Sequence, residues 1–329
     1  MDTSIYYNPS KILSYNKLLN FIIGGRGGGK SYAAKKLVIN NFIKNRSQFI
    51  YLRRYQSEFE NIQNFFSDIK WEYPEHTFSV GGGCFYIDKK VAGYYIELST
   101  SQKRKSTSYP DVKTIIFDEF IVDTGMIRYL KNEVRTFLDF CETVIRSRDD
   151  VRILLISNAL TTANPYFLYF KIYPKPEDKF ISKGELVVEI YHNEKFAVEK
   201  RKTKFGRLID KTDYGAYNID NKWLKDTDTF IEKMTGKCVG IVTVVVGGKR
   251  YGFWRGIDSG YLYFTRKPDP AVSTILALTT ADHTPQTILI KNFKKYSDIF
   301  KFQTYFDNGY FRFDSVESKA VFYDIMSLI

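Results

Sequence analysis

Apolar positions in the first half of the chain switch between a strand period and a helix period, so strands and helices are expected in turn. "FII" (residues 21–23) is a short apolar run opening onto a glycine-rich loop. Residues 31–44 then place Ala34, Leu37, Val38 and Phe42 on one helical face. "QFIYLRR" (48–54) reads as the next strand, "SEFENIQNFFSDI" (57–69) as a helix, and "FSVGGGCFYID" (78–88) and "VAGYYIELST" (91–100) as β-rich runs. "VKTIIFDEF" (112–120) is an apolar strand ending in acids, "YLKNEVRTFLDFCETVIRS" (129–147) an amphipathic helix and "VRILLISNAL" (151–160) a buried strand. This alternation predicts an α/β domain on a mostly parallel sheet.

The pattern breaks at "YPKPEDKFISKGE" (173–185), with two prolines and a charge cluster, followed by the basic stretch "EKRKTKFGRLIDKTDYGAYNIDNKW" (199–223). The expected division is a first domain over 1–174, a linker region or small linker domain over 175–228, and a smaller strand-rich α+β domain over 229–329. In the last, "CVGIVTVVVGGKRYGFWRGIDSGYLYFTR" (238–266) carries a Gly-Gly turn and an Asp-Ser-Gly turn, the marks of a meander.

Composition narrows the class. With 329 residues, 44% hydrophobic and 17% aromatic, the chain has core material for two globular domains. A net charge of +12 favours a polyanionic partner, nucleic acid before membrane. Cys84, Cys141 and Cys238 form no C-x-x-C and read as reduced, buried thiols of a cytosolic protein. His76, His192 and His283 are equally scattered, which argues against a His/Cys metal site. "MDTSIYYNPS" lacks the positive start and apolar run of a signal peptide. No apolar stretch approaches the ~20 residues that cross a bilayer.

The candidate chemistry starts at "GGRGGGKS", Gly24 to Ser31, where five of the first six residues are glycine. Gly24, Gly29, Lys30 and Ser31 satisfy G-x-x-x-x-G-K-[ST], the P-loop, with Gly25, Arg26, Gly27 and Gly28 between them. A strand before the loop and a helix after it are the context this motif requires. Its N–H groups would cradle phosphates at a helix N-terminus, Lys30 would reach the β- and γ-oxygens, and Ser31 would ligate Mg²⁺. Arg26 is placed to touch phosphate in cis.

"TIIFDEF" supplies the second half. Asp118, at the end of an apolar strand, fits the Walker B carboxylate that holds Mg²⁺ through water. Glu119 fits the residue that orients and deprotonates the attacking water. Their distance from the P-loop leaves room for an intervening strand, as in ATPases with an adjacent catalytic glutamate (the ASCE type). No D-x-x-G follows, and "NKWL" (221–224) lacks the aspartate that reads guanine, so ATP is expected rather than GTP. In "LLISN", Ser157 or Asn158 is placed to sense the γ-phosphate, or else forms a turn. In "TVIRSRDD", Arg146 or Arg148 is either an arginine finger given to a neighbouring subunit or a cation complementing a helix C-terminus.

"GGRGGGKS", "YLRRYQSEFEN", "TIIFDEF" and "ISN…TTANPYF", standing in this order, resemble the genome-packaging ATPases of small protein-primed tailed phages. These are the phi-29-like encapsidation proteins, distant relatives of large terminases. The resemblance implies a DNA-dependent ATPase that forms a homomeric ring, a pentamer, at the portal vertex of a procapsid in the host cytoplasm and drives double-stranded DNA inward. It puts the trans-acting arginine on Arg146, with Arg148 as the alternative, and a DNA-facing residue on Arg53 or Arg54. The basic loop Lys103, Arg104 and Lys105 would reach DNA or the neighbour's nucleotide. It also implies a C-terminal domain related in fold to RNase H-like nucleases but without their chemistry, since Asp258, Asp269, Asp282 and Asp298 are spread among turns. Lys249, Arg250, Tyr251, Trp254 and Arg255 are candidates there to contact RNA or the portal; whether a packaging RNA is used stays open. Two other readings share the P-loop core: a helicase or recombination ATPase, and a nucleotide-switched binding module. Glu119 argues against a pure switch.

Overall fold

The computed structural model describes residues 6–104, 107–122, 129–130, 132–158, 164–172, 174, 178–219, 231–290, 292, 302, 305 and 310–326. It forms two compact units, one from residues 1–160 and 174–224, the other from 161–173 and 225–329. In chain order the first half contains α1 (Ser10–Leu13), β1 (Leu19–Gly24), α2 (Lys30–Asn45), β2 (Gln48–Arg53), β3 (Phe78–Gly81), β4 (Cys84–Ile87) and β5 (Lys90–Glu97). Then come β6 (Val112–Asp118), α3 (Glu133–Ile145), β7 (Arg152–Asn158), α4 (Pro165–Phe170), β8 (Phe180–Lys183) and β9 (Leu186–Tyr191). The helices α5 (Glu194–Lys202), α6 (Lys204–Ile209) and α7 (Asp213–Asn218) follow. The chain continues with β10 (Cys238–Val246), β11 (Lys249–Gly256), β12 (Leu262–Thr265), β13 (Ile275–Ala277), β14 (Ile288–Leu289), β15 (Phe311–Phe313) and α8 (Val316–Met326).

The first unit is an α/β fold on a nine-stranded sheet of order β3-β4-β5-β2-β6-β7-β1-β9-β8. Neighbours from β5 through β9 run parallel, and the hairpins β3-β4-β5 and β8-β9 close the two edges antiparallel. All six residues of β1 are buried, as a central parallel strand requires. α2 lays Ala34, Val38, Ile39 and Phe42 into the core with Ile22, Phe49, Ile116 and Leu154. β7 lies between β1 and β6, so the strand bearing the glycine loop and the strand bearing the acids are separated by one strand.

Two expectations are corrected. Residues 57–69 form no α-helix but short 3₁₀ turns, including Gln56–Phe59 and Ile62–Asn64. Adjacent Phe65 and Phe66 are claimed by different partners, Phe65 by Phe85 (4.2 Å between centroids) and Phe66 by Phe78 (4.8 Å). Asn64 and Ser67 meanwhile favour local turns, so packing overrides a weak helical period. Nor is 175–228 only a connection: β9 pairs with β1 along its whole length, from Leu19 opposite Leu186 to Gly24 opposite Tyr191. The apolar run "LVVEIY" closes an edge that would leave β1 half-covered. After it, Asn193, Thr203 and Thr212 each accept an N–H of the helix they precede, which starts α5, α6 and α7.

The second unit carries a mixed six-stranded sheet of order β14-β13-β10-β11-β12-β15. The expected meander is its centre: β10 and β11 pair antiparallel across Gly247–Gly248, and β12 follows antiparallel. β13, β14 and β15 join in parallel. Phe253, Phe264, Phe311 and Phe322 fill its core together with Tyr251, so Tyr251 is not a surface contact. Asp258, Asp269 and Asp282 accept backbone N–H groups of Lys237, Gly240 and Gly248 and serve as turn braces. Asp298 lies outside the described residues.

Candidate nucleotide site

The loop between β1 and α2 owes its shape to its glycines. Gly27 and Gly29 both have φ +83°, which side chains rarely adopt. Gly24 has a different reason: a Cβ there would lie 2.6 Å from the Tyr191 carbonyl oxygen on β9. The outer side of the loop is held from remote stretches. The Tyr7 N–H donates to Gly28 O (2.9 Å), and Lys200 Nζ on α5 donates to Arg26 O (2.8 Å) and to Asn218 O (3.0 Å). The Tyr7 hydroxyl in turn donates to Glu189 (2.6 Å). Arg26 itself points to solvent.

Lys30 is buried, and its ammonium donates to Gly24 O (2.8 Å), Gly25 O (2.7 Å) and Asn158 Oδ1 (3.4 Å). Burial brings its pKa down to about 8, with Asp118 pulling upward and Lys200 downward. Asn158 at the end of β7 thus meets the loop, while Ser157 is buried within the sheet.

Ser31 Oγ donates to Asp118 Oδ1 (3.1 Å), joining the start of α2 to the end of β6. The second carboxylate oxygen of Asp118 accepts the hydroxyl of Tyr51 (3.0 Å). Glu119 stands next with φ 59°, a left-handed conformation that costs a non-glycine residue energy and turns its side chain out to 57% exposure. There Arg53 Nη2 pairs with Glu119 Oε2 at 2.6 Å while also holding Glu58 at 2.9 Å.

Other expected residues stand apart from this centre. Arg54 is buried; it grips Glu133 through Nε and Nη2, both at 2.8 Å, and donates to Phe120 O. Its assignment to a DNA channel is corrected, because a guanidinium spent inside the core has no donor for DNA. Arg53, spent on Glu119 and Glu58, is not presented to DNA in this arrangement either. Arg148 donates to the carbonyls of Tyr109, Pro110, Val112 and Val144, so it ties α3 to the start of β6 and is not a free finger. Arg146 is exposed at the C-cap of α3. Lys103 and Arg104 end a 3₁₀ turn, Leu98–Arg104; their side chains, and all of Lys105, lie outside the described residues. So does the "NKWL" segment. Tyr51, Glu133, Tyr7 and Lys200 are the site-building residues that sequence reasoning missed. For Tyr51 a signal existed: the period of two along β2 puts it on the face of Arg53.

The donors fit a Mg²⁺–nucleotide. Ser31 and Asp118 are hard oxygen ligands at one point, and Mg²⁺ commonly takes one or two protein ligands with the rest from phosphates and water. Among the described residues, no cluster of three or more His, Cys, Asp or Glu offers a cage built from protein alone.

The model of the family described as Podovirus DNA encapsidation protein (Gp16) matches residues 1–328. The DNA packaging protein of Bacillus phage phi29 is 42% identical over 325 residues, covering 99% of this chain and 98% of the relative. Among solved structures, the viral genome packaging motor assembly of bacteriophage Phi-29 matches with TM-score 0.70 and 41% identity, covering 99% of this chain and 100% of its own. The N-terminal domain of the DNA packaging ATPase from bacteriophage phi29 matches with TM-score 0.55 and 47% identity, covering 57% of this chain and 97% of its own. The family model and these relatives span nearly the whole length, and the chain belongs to the podovirus DNA encapsidation proteins.

Proposed function

We propose that the protein is an ATP-driven motor subunit that moves double-stranded viral DNA into a procapsid, hydrolysing ATP at subunit interfaces of a homomeric ring. The observation that supports this is the Ser31–Asp118 hydrogen bond, which joins the start of the helix after the glycine loop to the end of the strand that precedes Glu119. In this reading Lys30 exchanges the carbonyls of Gly24 and Gly25 for phosphate oxygens, and Arg26 adds charge from the loop. Asn158 sits where it feels the γ-phosphate through Lys30. Mg²⁺, when bound, would neutralise the triphosphate and polarise its terminal phosphorus. Ser31 and Asp118 would hold that ion. Glu119, once released by Arg53, takes a proton from the attacking water.

Arg146 is the residue we assign to the neighbour's nucleotide, because it stands exposed where Arg148 is spent on carbonyls. The pentameric state and a packaging RNA belong to this reading as expectations from the family. DNA would be held by phosphate contacts, which suit a motor indifferent to sequence. The Lys103–Lys105 loop remains the candidate for that contact, and the second unit for docking at the portal.

The test is steady-state ATP hydrolysis with Mg²⁺, with and without long duplex DNA, for wild type and Glu119→Gln. Duplex-stimulated turnover is expected, falling at least about 100-fold in the variant while nucleotide binding persists. Stimulation by single strands above duplex would favour a helicase instead, and an unimpaired variant would remove Glu119 from its role.

A further inference from the structure

Tyr51 is a large polar side chain on a central strand, and the nucleotide chemistry has no evident need of a phenol there. Its ring is fixed from several sides, by Phe65 at 5.1 Å, Phe59 at 6.3 Å and Phe85 at 6.4 Å between centroids. With the ring pinned, the hydroxyl has one direction, and it donates to Asp118 Oδ2 at 3.0 Å. Ser31 takes the other oxygen, Oδ1, at 3.1 Å. The carboxylate is therefore clamped at both ends, once by Ser31 at the start of α2 and once by Tyr51 of β2.

We propose that Tyr51 is a positioning residue for Mg²⁺ binding: it fixes the rotation of the Asp118 carboxylate so that Oδ1 is presented to the metal beside Ser31. A carboxylate at a strand end can turn about its last bond. One charge-assisted hydrogen bond from a rigid donor removes that freedom before the ion arrives. The register explains the economy of the arrangement. β2 pairs with β6, so alternate residues of β2 face the acids, with Tyr51 bonded to Asp118 and Arg53 to Glu119. One strand face thus addresses both acids, with the Arg53 guanidinium also within reach of the Tyr51 hydroxyl.

This rests on Asp118 being the metal carboxylate, and the experiment separates the two claims. In the full-length protein, binding of a fluorescent ADP is measured as a function of Mg²⁺ concentration for wild type, Tyr51→Phe, Asp118→Asn and the double variant. Tyr51→Phe keeps the ring, so metal-free thermal stability and Mg²⁺-free nucleotide affinity should stay near wild type. The Mg²⁺ concentration for half-maximal enhancement should rise about tenfold, the scale of one hydrogen bond to a charged group. In the Asp118→Asn background the tyrosine change should add nothing. An unchanged Mg²⁺ midpoint in Tyr51→Phe, with a shifted one in Asp118→Asn, overturns the proposal and leaves the site reading intact. Loss of Mg²⁺-free binding in Tyr51→Phe also overturns it, because the tyrosine would then support the loop as a whole. No shift in Asp118→Asn overturns the site reading itself.

Discussion

At the scale of single residues, the phosphate loop shows two separate uses of glycine, and they predict different costs. Gly27 and Gly29 are needed for a backbone angle, whereas Gly24 is needed for room, because the Tyr191 carbonyl of β9 stands where a Cβ would go. Gly24→Ala must push β9 away from β1, and should cost about 2 kcal/mol or more in urea unfolding. Gly184 is a useful contrast. It has φ 52° and open space around it, so Gly184→Ala should cost only about 1 kcal/mol, from backbone strain alone. Equal effects would mean that the β1–β9 contact is soft. Lys30 makes a related point: it is buried, yet every oxygen it touches belongs to groups that a phosphate can replace.

At the scale of elements, the strand–loop–helix unit around Lys30 and the strand ending in Asp118 and Glu119 were legible because local sequence dictates both. Glycine angles, an apolar strand and a helix start with Lys-Ser leave few other structures. Arg54 was not legible. In "YLRRYQ" two adjacent arginines look equivalent, yet the strand period turns Arg53 toward Glu119 and Arg54 into the core against Glu133. Nothing local in the sequence names a partner 79 positions away. The turns over 57–69 were lost for the same reason, since contacts with β2, β3 and β4 decide them. The Arg54–Glu133 pair has both side chains at 1% exposure, so removing one partner strands a buried charge. Arg54→Met should destabilise the protein by about 3–5 kcal/mol in urea, and adding Glu133→Gln should restore at least half of that. Destabilisation by Arg54→Met within about 0.5 kcal/mol of zero would show that the pair is solvated in solution.

At the scale of the whole molecule, the boundary between the parts is not where composition changes. The prolines and charges near residue 175 suggest an end to the first domain, but the sheet continues through β8 and β9, and the loop is braced by residues up to Asn218. A fragment ending at residue 174 should therefore be insoluble or fail to bind nucleotide. One ending at residue 219 should fold and bind, as read by circular dichroism and fluorescent-nucleotide titration. A soluble, nucleotide-binding 1–174 fragment would show that β9 is dispensable. Pro174 misled because it stands shortly before an edge hairpin, a place as hospitable to proline as a linker.

The same closure sets an order in time. β1 and its loop leave the ribosome early, while the strand that covers their edge and the lysine that braces them arrive more than half a chain later. Until then the nascent protein carries a hydrophobic strand with one side unpaired and a glycine loop without its outer brace. Synthesis therefore passes through a long interval of vulnerability to misassociation, which ends at one late pairing event.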